Sequence, residues 1–286
     1  MKPSSLSLFD LAPGKVLLDR YRVLKANREN GMSAAFRVQD ESLDVERELQ
    51  AFPASLFENP KQAESFAGAL RAWGELDTPA VVSLESVEVL GDGSVLTVTE
   101  FPEGKLLRDV FKEGGRFGAQ EVLNLGDQLL AGLEASHSKG LIHGDIKPAT
   151  IFVGGSSPQL VDGGVTPGLW AAKHLGTQTA LIGTPFYAPL EQFGGDCPDE
   201  RSDIYNLATV LYELVTGVLP WAGRSYIEVF QSKMQPEAPS MRQLAPDVEV
   251  DRGLEAAIAK ALRGKRMERH ASASEFRASL AAVSVA

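Results

Sequence analysis

The chain has 286 residues, 44% apolar and 23% charged, which suits one large globular domain or two small ones. Lys+Arg 28 against Asp+Glu 38 gives a formal net charge of −10, which argues against nucleic acid and anionic membrane as main partners. A single cysteine, Cys197, excludes an internal disulfide framework, no apolar run reaches the roughly 18 residues of a membrane span, and Met1-Lys2-Pro3-Ser4-Ser5 lacks the apolar core of a signal peptide, so the expected location is cytoplasmic.

Residues 1–17 carry Pro and Ser and read as an N-terminal arm. Tyr21 to Val38 reads as two strands around a turn containing Asn30-Gly31. Residues 61–74 read as a helix, because Ala63, Phe66, Leu70 and Trp73 recur at spacings of 3, 4 and 3. Two strand-like runs, Leu84–Leu90 and Ser94–Phe101, flank Gly91-Asp92-Gly93, a hairpin signal. The natural boundary falls near Phe101-Pro102-Glu103-Gly104, and beyond it helices dominate. Val122, Leu125, Leu129 and Leu133 mark a long amphipathic helix closing near Gly140. Ile204, Leu207, Leu211, Leu214 and Val215 mark another, stopped by Gly217 and Pro220. Two more fall around 253–263 and 272–283. A β-rich segment followed by a helical one is an α+β arrangement.

Residues 141–152, Leu-Ile-His-Gly-Asp-Ile-Lys-Pro-Ala-Thr-Ile-Phe, resemble the catalytic loop of the eukaryotic-type protein kinases. Leu160-Val161-Asp162-Gly163-Gly164 stands at the place of that family's Asp-Phe-Gly. Gly183-Thr184-Pro185-Phe186-Tyr187-Ala188-Pro189-Leu190-Glu191 is similar to the segment ending in Ala-Pro-Glu, and Arg201-Ser202-Asp203 to the start of the central helix. With Arg269, which the resemblance pairs with Glu191, these motifs make roughly residues 18–283 similar to bacterial Ser/Thr kinases of the eukaryotic type. The resemblance implies a bilobal kinase-like α+β fold: the arm 1–17, a β-rich N-lobe 18–101 with one regulatory helix, and a mostly helical C-lobe 102–286. It implies ATP and Mg²⁺ as cofactors, weakly held, and none in a strict pseudokinase. It also implies an Asp that caps the central helix and ties down the catalytic loop.

Phosphoryl transfer rests on positioning and charge neutralisation, and several family positions are altered here. The three glycines of the phosphate-covering loop fall on Arg28, Asn30 and Ser33, with Gly31 between them. Arg28 reads as a solvated surface arginine. The phosphate-binding strand lysine falls on Gln50, and its helix Glu on Ala69, so both halves of that ion pair are gone. The hinge keeps Glu100 but has Pro102, without an N–H, where the adenine donor belongs. Asp162 remains as a metal ligand, and Thr150 replaces the Asn ligand with a weaker hydroxyl. Gly163 replaces the Phe and Gly144 the Arg of the family's motifs, leaving Thr177 or Thr179, if phosphorylated, without a cationic reader. Asp145, Lys147 and Thr184 remain as catalytic remnants. The expected function is a pseudokinase: a signalling, scaffolding or nucleotide-sensing module that binds proteins through its C-lobe or vacated cleft, with Gly31, Gln50, Glu100 and Asp162 marking a degenerate nucleotide site. The alternatives are an active atypical Ser/Thr kinase, with Arg28 or Arg47 as a displaced cation, and a small-molecule phosphotransferase of the aminoglycoside or choline kinase type, suggested by His143-Gly144-Asp145.

Overall fold

A computed structural model describes residues 6, 8, 11–29, 32–173, 185–221 and 223–283. The chain divides into two compact units, one built from residues up to Asp77 with Val82–Pro102 and a short stretch from Ala171 that ends the helix Val165–Ala172, the other from Thr78–Val81 and most of the chain from Glu103 onward.

In the first unit, strands β1 (Val16–Leu17), β2 (Tyr21–Glu29), β3 (Ala34–Asp40) and β4 (Val45–Phe52), then helix α1 (Pro60–Arg71), then β5 (Leu84–Val89) and β6 (Val95–Glu100) follow in chain order. The sheet runs β1-β2-β3-β4-β6-β5, every pair antiparallel. Alternation sends Phe36, Val38, Leu49, Ala51, Leu96 and Val98 to one face, where they form an apolar cluster with Leu11, Leu17 and Tyr21. The expected arm therefore contributes a strand and two buried leucines to the sheet. On the opposite face Phe52 meets Phe66 of α1 edge to face at 4.9 Å. Helix α1 starts where Asn59 accepts from the Gln62 N–H at 3.1 Å, with Pro60 at its first position. It buries Ala63, Phe66 and Leu70, the stripe that the spacing predicts.

The second unit opens with β7 (Lys105–Leu106), α2 (Leu107–Gly114) and α3 (Ala119–Ser138), then β8 (Ile151–Val153) and β9 (Gln159–Leu160), which complete a three-stranded antiparallel sheet in the order β7-β8-β9. Next come α4 (Val165–Ala172), α5 (Leu190–Phe193), α6 (Glu200–Thr216), α7 (Tyr226–Lys233), α8 (Met241–Leu244), α9 (Arg252–Ala261) and α10 (Ala273–Ala281). Leu129 and Leu133 of α3, Leu207 and Leu211 of α6, Ile258 of α9 and Phe276 of α10 share one core and are all fully buried. Gly217 ends α6 in the left-handed region at φ 78°, where its N–H donates to the Glu213 carbonyl at 2.7 Å. Among the described residues no helix is long and apolar enough to cross a membrane.

Candidate functional site

The catalytic-loop residues hang from α6. Its N-cap is Asp199, whose carboxylate accepts from the Ser202 N–H at 3.0 Å. Asp203, expected as the cap, lies inside the first turn and is fully buried. Its Oδ1 accepts from the Gly144 N–H at 2.7 Å, and its Oδ2 from the His143 N–H and from His137 Nε2, both at 2.9 Å. The tie to the loop is thus present and the cap is a different residue. Two of these three bonds to one buried carboxylate fix the two peptide N–H groups that precede Asp145, and the third ties the carboxylate to α3. His143, also buried, donates from Nε2 to the Val161 carbonyl at 2.9 Å and accepts at Nδ1 from the Asp145 N–H at 3.3 Å. This joins the loop to the strand end that leads to Asp162.

Asp145 and Lys147 come together: Lys147 Nζ donates to Asp145 Oδ2 at 2.5 Å, and the two side chains keep 17% and 13% of their exposure. Thr150 is 2% exposed. Its hydroxyl accepts from the Lys147 N–H at 3.1 Å and lies at the same distance from the carbonyls of Asp145 and Lys147, to which it gives its single proton. It thus spends its donor and one lone pair on holding the loop. Asp162 has φ 66°, in the left-handed region that Asp tolerates better than most residues, and with Gly164 at φ 78° it turns the chain into α4. Thr184 lies outside the described residues, as do Thr177 and Thr179.

The first unit holds the other group of expected site residues. On the α1 face of the sheet, Gln50 on β4 is buried and donates from Nε2 to Ser33 Oγ at 2.7 Å. The hydrogen bond joins the position of the absent strand lysine to that of an absent glycine. Two residues before Gln50, and so on the same face, sits Glu48. It is 2% exposed, and Arg28 grips it with Nη2–Oε1 2.6 Å and Nε–Oε1 3.1 Å, both within a side chain that is only 7% exposed. Asn27 Nδ2 adds a bond to Glu48 Oε2 at 2.5 Å. Arg28 is therefore no solvated surface residue. It reaches over β3 past Ala35, its partner in the register, whose side chain is only a methyl group. The neighbouring arginines are paired too, Arg37 with Glu46, and Arg47 with Glu85 at 2.7 Å. Glu100 is exposed at the end of β6, with its N–H donating to the Ser83 carbonyl at 3.0 Å, while Pro102 is buried. Ala69 is half-buried on α1. Gly31 and Asn30 lie outside the described residues.

In the second unit Arg269 and Glu191 form the implied pair, Nη1–Oε1 2.6 Å and Nη2–Oε2 2.8 Å, with side chains 0% and 8% exposed. One residue beside it escaped the sequence reading. Lys233 of α7 is 1% exposed, and its Nζ donates to the carbonyls of Phe186 at 2.9 Å and Ala188 at 2.7 Å. Burial pushes its pKa well below the usual lysine range, Arg269 lowers it further and Glu191 opposes them. The sequence signal was a lysine at the end of a short amphipathic run, the common place for a solvated cation. Nearby, Tyr187 donates to Glu213 Oε2 at 2.6 Å, and burial raises the pKa of both groups.

An antiparallel sheet with one helix, a helical unit built on α6, and an Asp–Lys catalytic loop suspended from a buried aspartate define the bilobal protein kinase fold. The chain belongs to the protein kinase domain family, whose model matches residues 57–277. It is 32% identical over 278 residues to a probable serine/threonine-protein kinase PknB of Corynebacterium glutamicum, an alignment covering 94% of this chain and 43% of that protein. It is 29% identical over 278 residues to the serine/threonine-protein kinase pkn3 of Myxococcus xanthus, covering 94% and 51%. The chain thus spans about half or less of the length of these relatives. The solved kinase domain of PknI from Mycobacterium tuberculosis shares the fold, with a TM-score of 0.73 at 20% identity over 96% of this chain and 99% of that one.

Proposed function

We propose that this kinase domain is a pseudokinase, a signalling module that scaffolds protein partners with little or no phosphotransfer. The observation that carries the reading is the buried network Arg28–Glu48–Asn27 beside Gln50–Ser33. Holding a triphosphate needs a cation and close backbone approach. The α1 face of the first unit offers instead a neutral amide already bonded to a neighbour, and an arginine whose charge is cancelled by a buried carboxylate. Admitting a phosphate to Arg28 would strip Glu48 of its partner, and a lone buried carboxylate is costly. In the second unit the Thr150 hydroxyl is committed to the loop. These residues do not fit Mg-ATP as the family's motifs bind it. Losing one preorganised charge contact removes roughly 10²-fold in rate, about 3 kcal/mol. The Asp145–Lys147 pair favours the second reading, an active Ser/Thr kinase.

The test is Mg-ATP titration up to millimolar concentration by calorimetry, paired with transfer of labelled γ-phosphate to the protein itself and to a generic acceptor. No saturable binding and no labelling are expected. Saturable binding without labelling selects the nucleotide-sensing form of the same reading. Labelling that Asp162→Ala abolishes would replace it with the active kinase.

A further inference from the structure

Lys233, the buried last residue of α7, holds the segment Phe186-Tyr187-Ala188 that leads into α5. Three consecutive carbonyls of this segment accept from side chains: Phe186 at 2.9 Å and Ala188 at 2.7 Å from Lys233 Nζ, and Tyr187 at 2.8 Å from Asn206 Nδ2 of α6. The Tyr187 hydroxyl donates to Glu213, also on α6. One amine thus supplies two of the three bonds that hold the segment's backbone. The segment bears on the catalytic loop through α5, where Gln192 Nε2 donates to the Gly144 carbonyl at 3.3 Å.

Among the described residues, the titratable groups that face this amine are Glu191 of α5, Tyr205 of α6 and Arg269. Tyr187 and Glu213, at the segment itself, are bonded to each other, and Tyr226 and Glu228 of α7 are exposed. Glu191 gives both carboxylate oxygens to Arg269. Arg269 also lies over the Tyr205 ring, 4.8 Å from its centroid, and Lys233 Nζ is 5.0 Å from the same centroid. Two buried basic side chains therefore share one carboxylate and one ring, and the carboxylate belongs to Arg269. An uncharged amine has two N–H donors, and the carbonyls of Phe186 and Ala188 use both. The carbonyl dipoles, the ring and the C-terminal end of α7 favour a charge. Complete burial and the Arg269 cation oppose it, and burial weighs most.

We propose that Lys233 is a proton-operated latch on the segment Phe186–Ala188: seated, it is an uncharged amine that holds two carbonyls, and uptake of a proton drives it out to water and frees the segment from α7. The sign follows from linkage. The released amine binds a proton anywhere below its ordinary 10.5, and the seated amine only at lower pH. Falling pH therefore favours release, by up to about tenfold in population per pH unit while the seated amine is neutral and the released one charged. The latch goes beyond the scaffolding role and stands whether or not the domain binds Mg-ATP.

The test is NMR of the intact chain with lysine labelled at ¹³Cε, titrated from about pH 6 to 11. The Lys233 signal is assigned from its contact with the Tyr205 ring, so this step needs no variant. It is expected to titrate below every other lysine, or to stay in its neutral position down to the acid limit. Titration together with the exposed lysines would overturn the proposal. Amide exchange then reads the segment through Gln192 and Gly194, whose N–H groups donate to the Pro189 and Leu190 carbonyls. Corrected for intrinsic exchange, their opening is expected to rise by up to about tenfold per pH unit as pH falls from about 9 to 7, while α6 shows no such slope. Lys233→Met keeps an apolar chain of similar length without the amine and should remove the slope. Opening of α5 that is independent of pH, a slope shared by α6, or a slope unchanged in Lys233→Met would each refute the latch.

Discussion

The ion pair Arg28–Glu48 supports a quantitative prediction, because its two partners are more than nine-tenths buried and lie on separate strands. Glu48→Leu would take the Glu48 carboxylate away from the Arg28 guanidinium, and Arg28→Met would leave Glu48 with Asn27 as its remaining partner among the described residues. Each single substitution is expected to cost about 3–5 kcal/mol, the range for breaking one half of a buried pair. The double variant Arg28→Met/Glu48→Leu removes both charges and refills the space with apolar atoms, and such replacements run from neutral to about 1–4 kcal/mol stabilising. The cycle therefore closes with a coupling of several kcal/mol, far beyond the roughly 0.5 kcal/mol of independent sites. The assay is urea unfolding of the four proteins at neutral pH, with exchange protection of β2 and β4 as the local readout. A coupling below about 1 kcal/mol would show that the two side chains act independently and would remove the main support for a self-occupied sheet face.

Two further outcomes can be measured. Thr150→Val keeps the shape and deletes a buried hydroxyl that bridges the Lys147 N–H and two carbonyls, so the domain should lose about 1–3 kcal/mol in denaturant midpoint analysis. His270 is fully buried, stacks on Phe276 at 4.7 Å, and has a pKa lowered from 6.5 by burial, with Lys260 adding to the shift and the Ala257 carbonyl and Glu275 opposing it. Below that unfolded value the unfolded chain binds the proton more readily than the folded one. Stability should therefore fall as pH drops from above 6.5 toward 5, and His270→Leu should flatten that part of the melting-temperature profile.

The elements most legible in the sequence were those set by simple periodicity. The stripe of Ala63, Phe66 and Leu70 gave α1, and Gly217 marked the end of α6 because a left-handed residue must follow the last turn. Helix α4 was hidden by its own residues, since Pro167 and Gly168 read as breakers. Pro167 is tolerated because it sits in the first turn, where backbone N–H groups have no intrahelical partner. The loop Asp145-Ile146-Lys147 was visible as a motif, but Asp203 was assigned the cap that Asp199 supplies, because the two are one helical turn apart and only geometry tells which N–H groups each carboxylate faces. The Arg28–Glu48 pair was invisible for a different reason. The residues are 20 apart, on strands separated by β3, and a register shift between Ala26 and Arg28 sets which way Arg28 points.

Strand β1 is two residues long, yet it decides where this domain can be cut. Val16 and Leu17 pair with Arg22 and Tyr21, and beside them the Gly14 N–H donates to the Val23 carbonyl at 2.8 Å while the Val23 N–H donates to the Lys15 carbonyl at 2.8 Å. Leu6, Leu8, Leu11 and Leu17 roof the apolar face of the sheet. Trimming at residue 18, where the motif-bearing region begins, would unzip the start of β2 and bare a leucine-lined surface beside an unpaired edge, the combination that drives copies to associate strand to strand. Solubility is thus written into a segment that carries no catalytic motif, and affinity tags and fusion partners belong ahead of Leu6.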